Sequence, residues 1–438
     1  MFFNFFKEKK GKGIILLVLI GIFFVYEIKG KIFFAETEDP YENLKIFSDV
    51  LAILQRSYVE EVDTKKLIYG SISGMLEVLD PHSTFMPPDI YKEMQVETKG
   101  TFGGIGIEIT LKRGILTIIS PIEGTPAYRA GIKAGDIIIR INNEYTKNIT
   151  LMEAVKKMRG TPGTQVIITI FRKGLKEPKD ITITREIIEI VSIKSKIIED
   201  RFGYIKINQF QEKTGKDFKK ILKKMEKENQ IEGLVLDLRN NPGGLLDQAV
   251  IIADEFIDSG LIVYTKGRRE DQEMRFEAHH NDNPHKFSIV VLVNGGSASG
   301  AEIVAGALQD HKKALILGTP TFGKASVQTL LPLEDGSGLR LTTARYYTPN
   351  GRSIQAKGII PDVEVSDDYV YIKNTEKKYF IKEKDLSHHL DEKLDDIEML
   401  FDKEEGKSLK ETEEKQDIPL ERAIEILKSW QIFKKNLK

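Results

Sequence analysis

Apolar residues recur at helical spacing through the first part of this chain. Leu44, Phe47, Val50, Leu51 and Leu54 follow the i, i+3, i+4 pattern, and Ile68, Ile72, Met75, Leu76 and Leu79 repeat it. The spacing predicts helices from residue 41 to about 91, the second stopped by Asp80-Pro81. After a glycine cluster at 100–106 the period falls to two. Short strands are predicted at 105–111, 115–120, 136–141, 165–171 and 180–184, with a turn at Lys112-Arg113-Gly114. One helix interrupts them at 150–158, opened by the capping box of Thr150 and Glu153. From Ile187 the texture changes again. Residues 235–237 and 289–293 are continuous apolar runs, as in strands covered on both faces. Helical stretches at 215–227, 245–256 and 299–308 alternate with them, which is an α/β pattern. The Lys-rich stretch at 215–228 reads as a solvated helix face. The tail from Glu376 is highly charged, with one last amphipathic helix marked by Leu420, Ala423, Ile424 and Leu427. No internal repeat is evident.

The chain has 438 residues, enough for two to four domains, and its 41% apolar and 30% charged content supports a packed core. Lys and Arg number 65 against 66 Asp and Glu, a net charge of −1, which argues against a whole-protein nucleic-acid footprint. Cysteine is absent, so disulfides, thiolate metal sites and a Cys nucleophile are excluded. Lys7, Lys9, Lys10 and Lys12 precede an uncharged, mostly apolar run at 13–26. A positive flank before a short apolar run is the pattern of a secretory signal or a signal anchor. No small-x-small cleavage site is evident at Phe33-Phe34-Ala35 or Ile28-Lys29-Gly30, which favours an uncleaved single-pass anchor over a cleaved signal peptide. The remaining chain is then expected outside the cytoplasm.

Four segments carry candidate chemistry. In the run from Asn294 to Glu302 a buried strand ends, small residues turn, and a helix begins. A serine there sits beside helix N–H groups that favour a developing oxyanion, or else Ser297 or Ser299 is simply an N-cap. Serine needs a base. His279, His280 and His285 lie in a polar loop, His388 and His389 in the charged tail, His311 at a helix end and His82 in a turn. None is marked locally as that base. Lys324, flanked by glycine and small residues at the start of an apolar strand, stands out more, because burial lowers a lysine pKa toward the range a base needs. Gln328, an even number of positions on, is expected on the same strand face. The third segment runs from Asp237 to Gly244 after another buried strand. Its Gly243-Gly244 pair suits an oxyanion hole or anion nest, but it lacks the phosphate-loop spacing. The fourth, Phe102-Gly103-Gly104-Ile105-Gly106-Ile107, offers backbone donors beside a strand, as in capture of a peptide's terminal carboxylate, or is an ordinary glycine-rich turn.

In this order the segments resemble the C-terminal processing peptidases, also called tail-specific proteases. The resemblance spans about residues 41 to 375 and also takes in Leu79-Asp80-Pro81-His82-Ser83, Ala130-Gly131-Ile132-Lys133-Ala134-Gly135-Asp136, Thr321-Phe322-Gly323-Lys324 and Ile360-Pro361-Asp362-Val363. It implies an α/β catalytic core of the ClpP/crotonase kind, an inserted β-rich PDZ domain and helical terminal segments. The implied division is a tip with anchor at 1–40, a helical segment at 41–95, the PDZ domain at 96–186, a serine protease core at 187–375 and a charged helical tail at 376–438. By the same resemblance Ser299 is the nucleophile, Lys324 the general base and Gln328 the residue that orients it. Backbone groups of Gly243, Gly244 and Gly300 form the oxyanion hole, and Gly103, Gly104, Ile105 and Gly106 bind a peptide C-terminus. One departure is Gly300-Ala301, where Ala-Ser is frequent before the Glu. No cofactor, metal or nucleic acid is implied. The partners are polypeptides recognised by their C-termini and the membrane, with a homo-oligomer left open. The competing classes are a membrane-tethered PDZ adaptor with an inactive core and a Ser-His esterase. The dyad residues speak against the first. The missing Gly-x-Ser-x-Gly elbow around Ser299 speaks against the second.

Overall fold

A computed structural model describes residues 40–112, 114–172, 174–269, 273–366, 382–385 and 417–436. The apolar run at 13–26 lies outside them. Among the described residues no helix is long and apolar enough to cross a membrane. Two compact units divide the chain, one ending at Ile72 and one beginning at Ser73.

The first unit contains α1 (Pro40–Ser57) and the start of α2 (Thr64–Glu77). Asp63 caps α2, its Oδ1 accepting the N–H groups of Lys65 and Lys66 at 2.9 and 3.2 Å. The helical spacing of α1 is as expected, but Leu44, Phe47, Val50 and Leu54 are exposed.

In the second unit helix does not continue from α2 to residue 91. The Asp80 carboxylate captures the N–H groups of His82 and Ser83 in a turn, and β1 (Thr84–Met86) follows before α3 (Pro88–Lys99). The β-rich domain comprises β2 (Thr101–Gly104), β3 (Ile107–Lys112), β4 (Ile115–Pro121), α4 (Pro126–Arg129), β5 (Ile137–Ile141), β6 (Glu144–Tyr145), α5 (Leu151–Met158), β7 (Gln165–Phe171), β8 (Lys179–Thr184) and β9 (Glu186–Glu189). Alternate residues Leu116, Ile118, Val166, Ile168 and Ile170 enter its core. The capping box forms as read, with Thr150 accepting from Glu153 N–H at 3.2 Å and Glu153 Oε2 accepting from Thr150 N–H at 2.9 Å. The antiparallel pair β2–β9 sets Thr101 opposite Glu189, so the chain's entry to this domain and its exit run side by side.

The α/β part comprises β10 (Ile193–Ile198), β11 (Phe202–Ile207), α6 (Thr214–Asn229), β12 (Gly233–Asp237), α7 (Leu246–Asp254), β13 (Leu261–Gly267), β14 (Arg275–Glu277), β15 (Ser288–Val293), α8 (Gly300–Asp310), β16 (Leu315–Gly318), β17 (Ser326–Pro332), β18 (Gly338–Tyr347) and β19 (Val363–Glu364), with α9 (Ile418–Asn436) near the chain end. One sheet has the order β10-β11-β12-β15-β16-β19, parallel except at β10. The apolar runs are buried on both faces, as their lack of alternation requires. Leu234, Leu236, Val291 and Val293 meet α6, α7 and α8, whereas Val235, Val290 and Leu292 meet Ala423, Ile424 and Leu427 of α9. A second, antiparallel sheet has the order β1-β18-β13-β14, with β17 also paired to β18.

Candidate active site

The loops leaving β12, β15 and β16 open at the carboxyl ends of neighbouring parallel strands, where α/β sheets hold their ligands. After β15 the two serines separate. Ser297 is fully buried, and its hydroxyl accepts the Asn294 N–H at 3.0 Å and donates to Leu238 O at 2.8 Å. Ser299 is half-buried at the N-cap of α8, with φ 52° and ψ −113°. L-residues avoid that conformation at a cost of about 1–3 kcal/mol, so the surrounding contacts must impose it.

Lys324 does not start a strand. It lies in the loop before β17, which begins at Ser326. Burial lowers the pKa of its amine, as does the Arg340 guanidinium, while the carboxylates of Glu383, Glu302 and Asp80 oppose the shift. The even spacing to Gln328 does not set a common face, because a bulge falls between Val327 and Gln328. The Gln328 amide donates to Ser326 O at 3.0 Å and to Ser326 Oγ at 2.8 Å.

What joins Ser299 to Lys324 is a carboxylate on α8. Glu302 is fully buried, and its Oε2 accepts the N–H groups of both Ser299 and Lys324 at 2.9 Å. Its Oε1 accepts from Gly323 N–H at 2.8 Å and from Thr321 Oγ1 at 2.5 Å. On the carbonyl side the buried Tyr346 hydroxyl reaches Ser299 O at 3.1 Å and also Lys324 O. Both main-chain polar groups of the two residues are thereby tied to common partners. Glu302 was legible as the fourth residue of a Ser-x-x-Glu cap. Tyr346 left no local signal.

Burial pushes the Glu302 carboxyl up to about 7, against the hydrogen bonds that favour its anion. Its ordinary value is 4.5. A folded pKa above the unfolded one favours the fold fully below the unfolded value, and the contribution is lost as pH rises through the folded one. The melting temperature of the wild type should therefore rise relative to Glu302→Gln as the pH falls from about 7 to about 4.5. A difference that stays constant with pH would contradict this.

The loop after β12 packs on the same serine. Gly243 has φ 100°, and a Cβ there would fall 2.7 Å from Ser299 Cβ and 2.9 Å from Gly300 N. Only glycine allows that approach. The Gly243 N–H donates to Asn241 Oδ1 at 2.8 Å, and its carbonyl accepts from Phe210 N–H at 2.9 Å. Gly300 opens α8, so its N–H has no intrahelical acceptor. Gly244 pairs as an isolated bridge with Phe210. The loop is fixed by Arg239, which donates to Asp237 and to Asp417 ahead of α9 at 2.7–3.0 Å. Burial alone would lower the pKa of Arg239, but these carboxylates raise it.

Elsewhere, Gly103 and Gly104 lie in β2, paired with β9 opposite Ile187 and Glu186. Ile105 is buried, and Gly106 O accepts from Ile122 N–H at 2.9 Å. A Cβ at Gly103 would fall 2.1 Å from Gly160 O, so close packing alone demands glycine there. His279 and His280 are exposed beside Asp254 and Asp258, and His285 lies between Glu226 and Glu255. His311 reaches Leu261 O, and His82 meets Glu383. His388 and His389 lie outside the described residues. Among the described residues no group of three His, Asp or Glu is arranged to hold a metal.

Comparison with known proteins finds the model of peptidase family S41 matching residues 201–365, that of the PDZ domain 117–172, and that of the activating protease CtpB N-terminal domain 29–89. A carboxy-terminal-processing protease of Bartonella bacilliformis is 47% identical over 331 residues, covering 75% of this chain and 76% of that protein. A probable CtpA-like serine protease of Staphylococcus aureus is 38% identical over 353 residues, covering 80% and 69%. A solved photosystem II D1 C-terminal processing protease is 29% identical, covers 73% of this chain and 92% of that one, and has a TM-score of 0.43. Matched domains and fold together make this a serine-type peptidase with an α/β core and an inserted PDZ domain. The chain belongs to the family of carboxy-terminal-processing proteases.

Proposed function

We propose that this protein is an extracytoplasmic endopeptidase that engages the C-terminal tail of polypeptide substrates through its PDZ domain and cleaves them with a Ser299–Lys324 dyad. The observation that carries the reading is the shared tether: Glu302 accepts hydrogen bonds from the main chain of both residues, and Tyr346 reaches both carbonyls. Burial of the Lys324 amine favours the neutral form that a base must have.

In the proposed reaction the Ser299 oxygen attacks the scissile carbonyl carbon as neutral Lys324 takes the hydroxyl proton. Main-chain N–H groups of Gly300 and the Gly243-Gly244 turn hold the oxyanion, with the α8 N-terminus behind them. Gly243 N–H joins only when it leaves Asn241 Oδ1. The C–N bond breaks, and the departing amine receives the proton from Lys324. Water then gives up a proton to Lys324 and attacks the ester; the ester C–O bond breaks, the Ser299 oxygen takes that proton from Lys324, and the new carboxylate departs. Gln328 orients the base by way of Ser326, its present partner.

The proposed domain limits are 41–95, 96–186, 187–375 and 376–438. The residues at Gly103–Gly106 bind the peptide carboxylate, and the β2–β9 ribbon is where the PDZ domain turns to admit substrate. An N-terminal anchor and the outside location rest on the Lys-flanked run at 13–26. Self-association through α1 is supported by its exposed Leu44, Phe47, Val50 and Leu54.

Peptides that differ only in a free or an amidated C-terminus test the substrate class on the full-length protein. Loss of the carboxylate should raise KM about ten- to a hundredfold with little change in kcat, since a charge-assisted hydrogen bond contributes about 1.5–3 kcal/mol. Equal KM for the two peptides would refute tail recognition.

A further inference from the structure

His82 and Glu383 stand 301 positions apart, yet the ring Nε2 lies 2.6 Å from each carboxylate oxygen. Glu383 is fully buried, and the His82 side chain is 11% exposed. A buried carboxylate needs polar partners. The second partner of Glu383 is Gln355, whose Nε2 donates to its Oε1 at 3.0 Å. Gln355 is also fully buried, and its Oε1 accepts the Ala325 N–H at 2.9 Å. The Glu383 N–H donates to Phe322 O at 3.2 Å. Main-chain groups on both sides of Lys324 thus depend on one acidic residue.

The turn that supplies His82 is built with equal care. The Asp80 carboxylate accepts from His82 N–H, Ser83 N–H, Ser83 Oγ and Thr342 Oγ1, and Arg340 Nε donates to His82 O at 3.2 Å. This accounts for Asp80-Pro81-His82-Ser83, a segment to which neither the dyad nor the oxyanion hole gives a role. The charged groups acting on Lys324 are Asp80 from this turn, Arg340 from β18, Glu302 from α8 and Glu383. Those around Glu383 are His82, Lys324 and the Tyr346 hydroxyl.

We propose that Glu383, held by His82, is a positioning residue for Lys324: it fixes the chain on either side of the base and sets a negative charge facing its amine. This rests on Lys324 being the base. Peptide cleavage by the full-length protein is measured across pH for four variants. Glu383→Gln removes the charge that favours the ammonium, so the acidic limb of kcat/KM should move to lower pH by about one unit. Its kcat should fall about tenfold as the loop loosens. Glu383→Asp keeps the charge and should restore the limb. Gln355→Leu cuts the link to Ala325 and should lower kcat with the limb unmoved. An unmoved limb in Glu383→Gln, whatever its kcat, would overturn the proposal. If that variant does not fold, a folded Gln355→Leu with wild-type kcat would do so instead. The fourth variant, Lys324→Met, separates the two claims. Wild-type cleavage in it would sink the dyad, whereas an inactive Lys324→Met beside an unshifted Glu383→Gln would sink the positioning role alone.

Discussion

Replacing Ser299 by alanine should lower peptide cleavage by at least about 10⁴-fold, the scale seen when a protease loses its nucleophile. The fold should survive. The Ser299 N–H and C=O, which Glu302 and Tyr346 hold, remain in the variant. The unfolding free energy should change by no more than about 1 kcal/mol. The backbone supplies a sharper companion. At φ 52° alanine retains the strain, whereas glycine relieves it. Ser299→Gly should be equally inactive yet more stable than Ser299→Ala by about 1 kcal/mol. Chemical denaturation beside a cleavage assay reads both effects. Equal stability of the two variants would mean that the serine backbone is not strained in solution.

Lys324→Met should be the second large loss, about 10³–10⁴-fold, because the serine then has no group to take its proton. Methionine keeps the length of the chain but not the amine. Stability should hold or rise, since a partly desolvated charge is removed. Lys324→Arg should be as inactive as Lys324→Met, because a guanidinium does not give up its proton in a protein. Activity in the arginine variant would point to a base elsewhere.

Sequence pattern reached the parts of this fold that are local. Thr150 and Glu153 announced their helix because both halves of the capping box lie within one turn. Strands β12 and β15 were legible as unbroken apolar runs because α7 and α8 cover one face and α9 the other. Strands β13 and β18 were not. They pair with each other, and β18 also with β1, across long stretches of chain, while β17, read as an apolar strand from Lys324, exposes residues such as Leu330 and Leu331 that periodicity would assign inward. At the site, Ser299 and Lys324 stood out by their small neighbours. The strand argument linking Lys324 to Gln328 failed because the strand starts after the lysine and then bulges. Tyr346 and Glu383 were invisible for a common reason: each acts across a separation that only the folded sheets close, 22 residues to Lys324 for Tyr346 and 301 to His82 for Glu383.

The central claim is that Ser299 is a nucleophile activated by neutral Lys324. Its most direct test is the rate at which a fluorophosphonate labels the intact protein, followed by mass spectrometry across pH. A single adduct mapped to Ser299 is expected. Its rate should titrate below the ordinary lysine range and collapse in Lys324→Met. An adduct on another residue, or undiminished labelling of Ser299 in Lys324→Met, would contradict the account.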